Sequence, residues 1–263
     1  MDLLIALLLG VIQGLTEFLP VSSSGHLELA KAIFPTDFSA RESMLMTVVL
    51  HFATALSTIF IFRNDIVVIL KGMFSNKDSY QRVFSLKIIL SMIPAVIVGV
   101  LWDDLIESLF NGQLFLVALM LVVTSILLFL ADRSKPTMRE VTLKNSIIIG
   151  IAQAIAILPG ISRSGATVAT SVLLGVDKES AARFSFLMVV PLIFGKMFKD
   201  ILDGALFVDQ VSIVNLIIGF FAAFFTGVFA CTWMIKLVKK SQLKYFSFYC
   251  LIVSAATLIW LFV

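Results

Sequence analysis

Charge is what this sequence has least of. Only 14% of its 263 residues are Asp, Glu, Lys or Arg, against about 25% in soluble domains. That scarcity excludes a soluble globular chain. With 60% hydrophobic residues and a mean hydropathy of +1.06, the sequence describes an integral membrane protein made of helical spans. A formal net charge of +3 is too small to argue for a nucleic-acid partner. Cysteine is nearly absent. Cys231 and Cys250 lie in apolar runs without metal-ligand spacing and read as small buried hydrophobes. The first residues carry Asp2 and no Lys or Arg, so no cleavable leader is expected.

What is there is organised around one polar stretch. Gln13-Gly-Leu-Thr-Glu17-Phe-Leu-Pro20-Val-Ser22-Ser23-Ser24-Gly25-His26 follows the apolar run from Leu3 to Ile12. An ionisable group at bilayer depth costs roughly 2.5–3.5 kcal/mol on insertion scales, so Glu17 needs a reason to be there. Gln13 and Glu17, four apart, share a helix face. Pro20 lacks an N–H and should break the helix at Leu19. The serines and Gly25 can turn the chain and begin a second helix. Its bare N–H groups and dipole would attract an anion such as phosphate.

The remaining apolar runs are 44–62, 88–101, 114–131, 184–198, 211–235 and 245–263, with a broken run at 145–174. Basic stretches at 63–87, 132–144 and 236–244 are expected inside, and the acidic turn with Asp103, Asp104 and Glu107 outside. Crossings between Lys144 and Lys236 must be even in number, so the broken run is expected to enter and leave on one side. A shift of 140 residues sets Gly10, Gln13, Ser22, Ser24 and Gly25 on Gly150, Gln153, Ser162, Ser164 and Gly165. The expected fold is therefore all-α, a single membrane domain over residues 1–263. It holds inverted repeats of about 1–131 and 145–263, each a re-entrant broken-helix hairpin plus three spans.

Three ionisable residues lie at depth without an obvious partner: Glu17, His26 and Arg163. The repeat should bring their loops together. A guanidinium beside serine-rich turns suits diphosphate binding, and His26, one residue after the turn, suits proton transfer or nucleophilic attack. His51, with Thr54 and Thr58 nearby, reads as a hydrogen-bonded core residue.

The first motif and Pro159-Gly-Ile-Ser162-Arg163-Ser164-Gly-Ala-Thr167 resemble the two signatures of the undecaprenyl-diphosphate phosphatase (bacitracin-resistance) family. The resemblance implies hydrolysis of undecaprenyl diphosphate to the monophosphate and phosphate, which recycles the lipid carrier of cell-wall synthesis and confers bacitracin resistance. It implies an acidic pair at Gln13 and Glu17, with Gln here at the first position. It also implies roles for Ser23, His26 and Arg163, and a divalent cation, Mg2+ or Ca2+, with Glu17 as its ligand. Ser22, Ser24, Gly25, Ser162, Ser164 and Thr167 complete the expected substrate contacts, together with Gln13 and Arg163. The nucleophile stays open between Ser23, His26 and a metal-activated water. The expected setting is the bacterial plasma (inner) membrane, multi-pass, with the site facing out. Expected partners are the polyprenyl diphosphate and membrane lipids, with a homodimer to consider and no nucleic acid. The competing function is a secondary transporter or flippase of a polyprenyl phosphate, which needs a phosphate site but no nucleophile with its acid and base.

Overall fold

A computed structural model of the chain describes residues 3–34, 40–74, 79–110, 112–135, 137–202, 212–239 and 242–263. Among these there are twelve helices and no strand. They are α1 (Leu3–Phe18), α2 (Ser23–Ile33), α3 (Ala40–Ile61), α4 (Arg63–Met73), α5 (Ser79–Leu101) and α6 (Asp103–Leu109). The second half holds α7 (Leu114–Asp132), α8 (Leu143–Ile155), α9 (Arg163–Leu173), α10 (Lys178–Leu202), α11 (Ile213–Lys239) and α12 (Leu243–Phe262). Six of them, α3, α5, α7, α10, α11 and α12, are long and apolar enough to cross a membrane. The chain is a multi-pass membrane protein. Lys77, Asp78, Lys240 and most of the mixed turn between 199 and 210 lie outside the described residues.

The apolar runs located the six long helices but not their ends. Helix α5 begins at Ser79 rather than near Ile88, and α10 begins at Lys178 rather than at Phe184. Hydropathy marks the hydrocarbon-length part of a helix, while its backbone bonds continue into polar residues at the interface. The stretch 63–87 also contains α4, and the acidic turn contains α6. Ion pairs tie both to α10: Arg183 to Asp65, and Lys199 to Asp103. Pro94 and Pro191 lie inside α5 and α10, a placement that membrane helices tolerate.

The broken runs behave differently. Helix α1 is 16 residues and α8 is 13, about 24 and 20 Å at 1.5 Å per residue, short of a hydrocarbon core of about 30 Å. Each stops at its turn and packs against the short helix that follows, α1 on α2 and α8 on α9. Each is also clamped by a long helix of the opposite half, α1 by α11 and α8 by α5. Small residues permit this contact. A Cβ on Gly10 would lie 2.5 Å from the Gly219 carbonyl oxygen, and one on Gly150 would lie 2.5 Å from that of Ser91. Without a hydrophobic force between helices in lipid, close backbone approach supplies the packing energy. Helix α12 packs along α7, where Ser254 donates to the Ala118 carbonyl at 2.7 Å and Ser125 and Ser247 bond each other.

Candidate active site

The two turns are built alike. Ser22 caps α2 by accepting from the Gly25 N–H at 3.2 Å, and Ser162 caps α9 by accepting from Gly165 at 3.0 Å. In each turn the serine two residues after the cap lies 3.3 Å from it, Ser24 from Ser22 and Ser164 from Ser162. Among the described residues Ser22 is the one non-glycine with positive φ, at 73°. Such a backbone persists only where its surroundings hold it, and it is a frequent feature of functional turns. The caps consume the Gly25 and Gly165 amides, so those two are not free to meet an anion.

The turns touch each other. A Cβ on Gly25 would lie 3.1 Å from the Gly160 Cα, and Ser164 donates to the Leu19 carbonyl at 3.3 Å. Arg163, the first residue of α9, forms an ion pair with Oε1 of Glu17, at the end of α1. Glu17 is 6% exposed. Its Oε2 accepts from the Ser23 hydroxyl at 2.6 Å and from the Gln13 amide at 3.1 Å. Breaking such a buried pair by removing one partner typically costs about 3–5 kcal/mol, because the other charge is left uncompensated. Gln13, fully buried, also reaches Thr54 at 3.5 Å, and its own Oε1 has no partner. That orphan oxygen is a place where an additional donor or cation would be welcome.

Ser23, Ser24, His26 and Arg163 are half-buried. Ser162, Ser164 and Thr167 are buried. The Thr167 hydroxyl is engaged within the protein, by the Arg163 carbonyl at 2.8 Å and the Ser185 hydroxyl at 2.6 Å. It holds the first turn of α9 against α10. A small cavity opens beside Glu17 and Arg163, walled by Thr58, Ser185, Phe186 and Val189.

His26 stands apart from the other two. No hydrogen bond joins it to Ser23 or Glu17. Its Nδ1 lies 2.8 Å from the Ser22 carbonyl and its Nε2 lies 2.8 Å from the Tyr249 hydroxyl. Ser23 therefore bonds to a carboxylate, not to an imidazole.

Two residues near the site were not placed in it from the sequence, where His51 read as a core residue and Tyr249 was not named. His51 donates from Nδ1 to the Thr47 carbonyl at 2.8 Å, as a core histidine would, but its Nε2 faces the Glu17 carboxylate at 4.0 Å. Tyr249 sits on the last span. The available signal was its phenol, which at depth needs a polar partner. Among the described residues no group of three His, Cys, Asp or Glu is placed to hold a metal. Glu28 is also buried, a second acid at depth, and is satisfied by Lys31 at 3.1 Å.

With this geometry in place, comparison with known proteins is informative. Residues 6–256 match the model of the bacitracin resistance protein BacA family. An undecaprenyl-diphosphatase of Christiangramia forsetii is 58% identical over 259 residues, 98% of each chain. One of Bacteroides fragilis is 44% identical over 97% of this chain and 96% of its own. One of the archaeon Methanococcus vannielii is 40% identical over 94% of this chain and 96% of its own. A shared signature at two short turns would be weak by itself, but the likeness runs the length of the chain, and the chain belongs to the bacitracin resistance protein BacA family.

Proposed function

We infer that this chain hydrolyses undecaprenyl diphosphate to undecaprenyl phosphate and phosphate, the activity named for its full-length relatives. In the cell this would regenerate the lipid carrier of cell-wall synthesis and confer bacitracin resistance. One observation carries the reading. The Ser23 hydroxyl donates at 2.6 Å to a buried carboxylate, which Arg163 from the opposite half pairs. A carrier needs no such activated hydroxyl, and this favours an enzyme over a transporter.

In the proposed reaction, the headgroup enters beside Arg163, whose remaining guanidinium N–H groups and the Ser23 and Ser24 amides neutralise its charge. Ser23 Oγ attacks the terminal phosphorus in line, and its proton passes to Glu17 Oε2. The bond from that phosphorus to the bridging oxygen breaks, releasing undecaprenyl phosphate. Water then attacks the phosphoserine, giving its proton to His26 Nε2. The Ser23 Oγ–P bond breaks, Ser23 Oγ takes its proton back from Glu17 Oε2, and phosphate leaves, with the His26 proton passing to it or to solvent. Ser23 is the better-placed nucleophile, because its hydroxyl already donates to the carboxylate that takes its proton.

A divalent cation fits this site in a limited way. Glu17 and the unpartnered Gln13 Oε1 would be the residues that hold it. Mg2+ commonly takes one or two carboxylates and completes its shell with substrate phosphates and water. When bound, it would supply further charge neutralisation on the diphosphate. The direct test is phosphate release from undecaprenyl diphosphate by purified protein in detergent, with and without chelator. Release is expected, and its loss on chelation should be restored by Mg2+ or Ca2+. No release under any metal condition would overturn the reading.

The proposed architecture is an inverted repeat in the bacterial plasma membrane with the site facing out. Support comes from the matched caps and from the exchange of clamps, α1 on α11 and α8 on α5. The charge distribution supplies the orientation. With Cys231 and Cys250 replaced, a cysteine at Asp104 should react with an impermeant thiol reagent on intact cells, and one at Arg139 should not. The opposite labelling would invert the topology.

A further inference from the structure

We propose that Tyr249 is a positioning residue for His26, fixing its tautomer and reserving Nε2 for the reaction. The inference rests on the role given to His26 above. A backbone carbonyl can only accept, so the 2.8 Å contact between Nδ1 and the Ser22 carbonyl puts the ring proton on Nδ1. In the neutral ring Nε2 is then the lone pair, and the phenol 2.8 Å away donates to it. The two ring planes lie 10° from parallel with centroids 5.6 Å apart, as an in-plane bond from the phenol to Nε2 requires. His26 is thereby held at both nitrogens, leaving one tautomer and one ring orientation.

The holder is itself fixed. Tyr249 is 223 residues away in sequence, on α12, which is bonded to α7 through Ser247 and Ser254. Its neighbour Cys250 is buried, with its Sγ 3.8 Å from the Pro20 carbonyl in the turn that precedes Ser22. The helix that carries the phenol thus also rests on the turn that carries the imidazole. A substrate oxygen or hydrolytic water approaching Nε2 takes the place of the phenol, so the lone pair is aimed before it arrives. Preorganisation of this kind acts on the chemical step more than on binding. His51 provides the contrast, since its Nε2 faces a carboxylate at 4.0 Å rather than a hydroxyl donor.

The chain has two histidines, so selective 15N-histidine labelling reads the clamp directly, with His51→Gln used for assignment. In the parent protein His26 should show a protonated Nδ1 and a hydrogen-bonded Nε2. Tyr249→Phe keeps the neighbouring ring and should move the Nε2 resonance to that of a free lone pair, leaving Nδ1 unchanged. The same variant should lower kcat about ten-fold, the scale of one hydrogen bond, with KM within about two-fold. In a His26→Ala background it should cost nothing further. An unmoved Nε2 resonance, or an equal loss in both backgrounds, would overturn the inference and leave Tyr249 a packing residue. A His26→Ala enzyme turning over at the parental rate would overturn the role of His26 itself, and that outcome is distinguishable because the resonance would still report the clamp.

Discussion

The two hairpins share a frame and divide the chemistry. Offset by 140 residues, Ser22 and Ser162 cap the same kind of helix start, and Gln13 and Gln153 each bury an amide with an unpartnered Oε1. At the chemical positions they diverge. Opposite Glu17 stands Ile157, opposite Ser23 stands Arg163, and opposite His26 stands Ala166. The first hairpin holds the carboxylate, the hydroxyl and the imidazole, and the second contributes one cation. A buried carboxylate needs a counter-charge. The other turn supplies it, because the turns touch at Gly25 and Gly160. The same cap thus holds the backbone of two turns whose side chains differ.

The sharpest way to break this division is to remove the chemistry of the first turn. Ser23→Ala removes the attacking oxygen but keeps Arg163 and the backbone amides. Turnover should fall by about three orders of magnitude with headgroup binding retained, as for a group used only in the transition state. Glu17→Gln should fall comparably, within the 10²–10⁴ range of a general base. Single-turnover phosphate release together with substrate binding checks both. A Ser23→Ala enzyme near the parental rate would shift the nucleophile to His26 or water.

A smaller effect is expected from the second turn. Arg163→Lys keeps the charge but loses the planar fork that can hold Glu17 and a phosphate at once, so activity should drop about 100-fold. If Arg163→Ala turned over normally in folded protein, the halves would not share one site.

The smallest effect tests the shared frame. Ser162→Ala removes a cap and should cost about 1 kcal/mol of stability, seen as a modest fall in Tm with activity largely kept. Ser22→Ala should cost a similar amount of stability but reduce activity more, since losing the cap loosens the 73° backbone whose carbonyl aims His26. Equal losses of activity from the two would mean that the caps serve backbone geometry alone.

Much of this site could be read in the sequence because the membrane makes polar residues conspicuous. Glu17, His26 and Arg163 stood out as ionisable groups within apolar runs, where each must be paired or used. Pro20 ended α1 where its missing N–H required. Other parts stayed hidden for physical reasons. Helix α4 lay inside a basic stretch because hydropathy does not register a helix outside the hydrocarbon. Glu28 is buried in α2 between Leu27 and Leu29 and pairs with Lys31, a packing its local sequence does not mark.

By itself, the sequence determined the class of molecule, the breaks in two helices and the residue types at the breaks, since these depend on local backbone chemistry and on the cost of charge in lipid. Only the tertiary structure decided the pairings. It set Ser23 on Glu17 rather than on His26, His51 within 4.0 Å of Glu17, and Tyr249 on His26. Spacing along a chain fixes which side chains share a helix face. It does not fix which distant helix arrives there, and that follows from close packing of small residues such as Gly10 against α11 and Gly150 against α5.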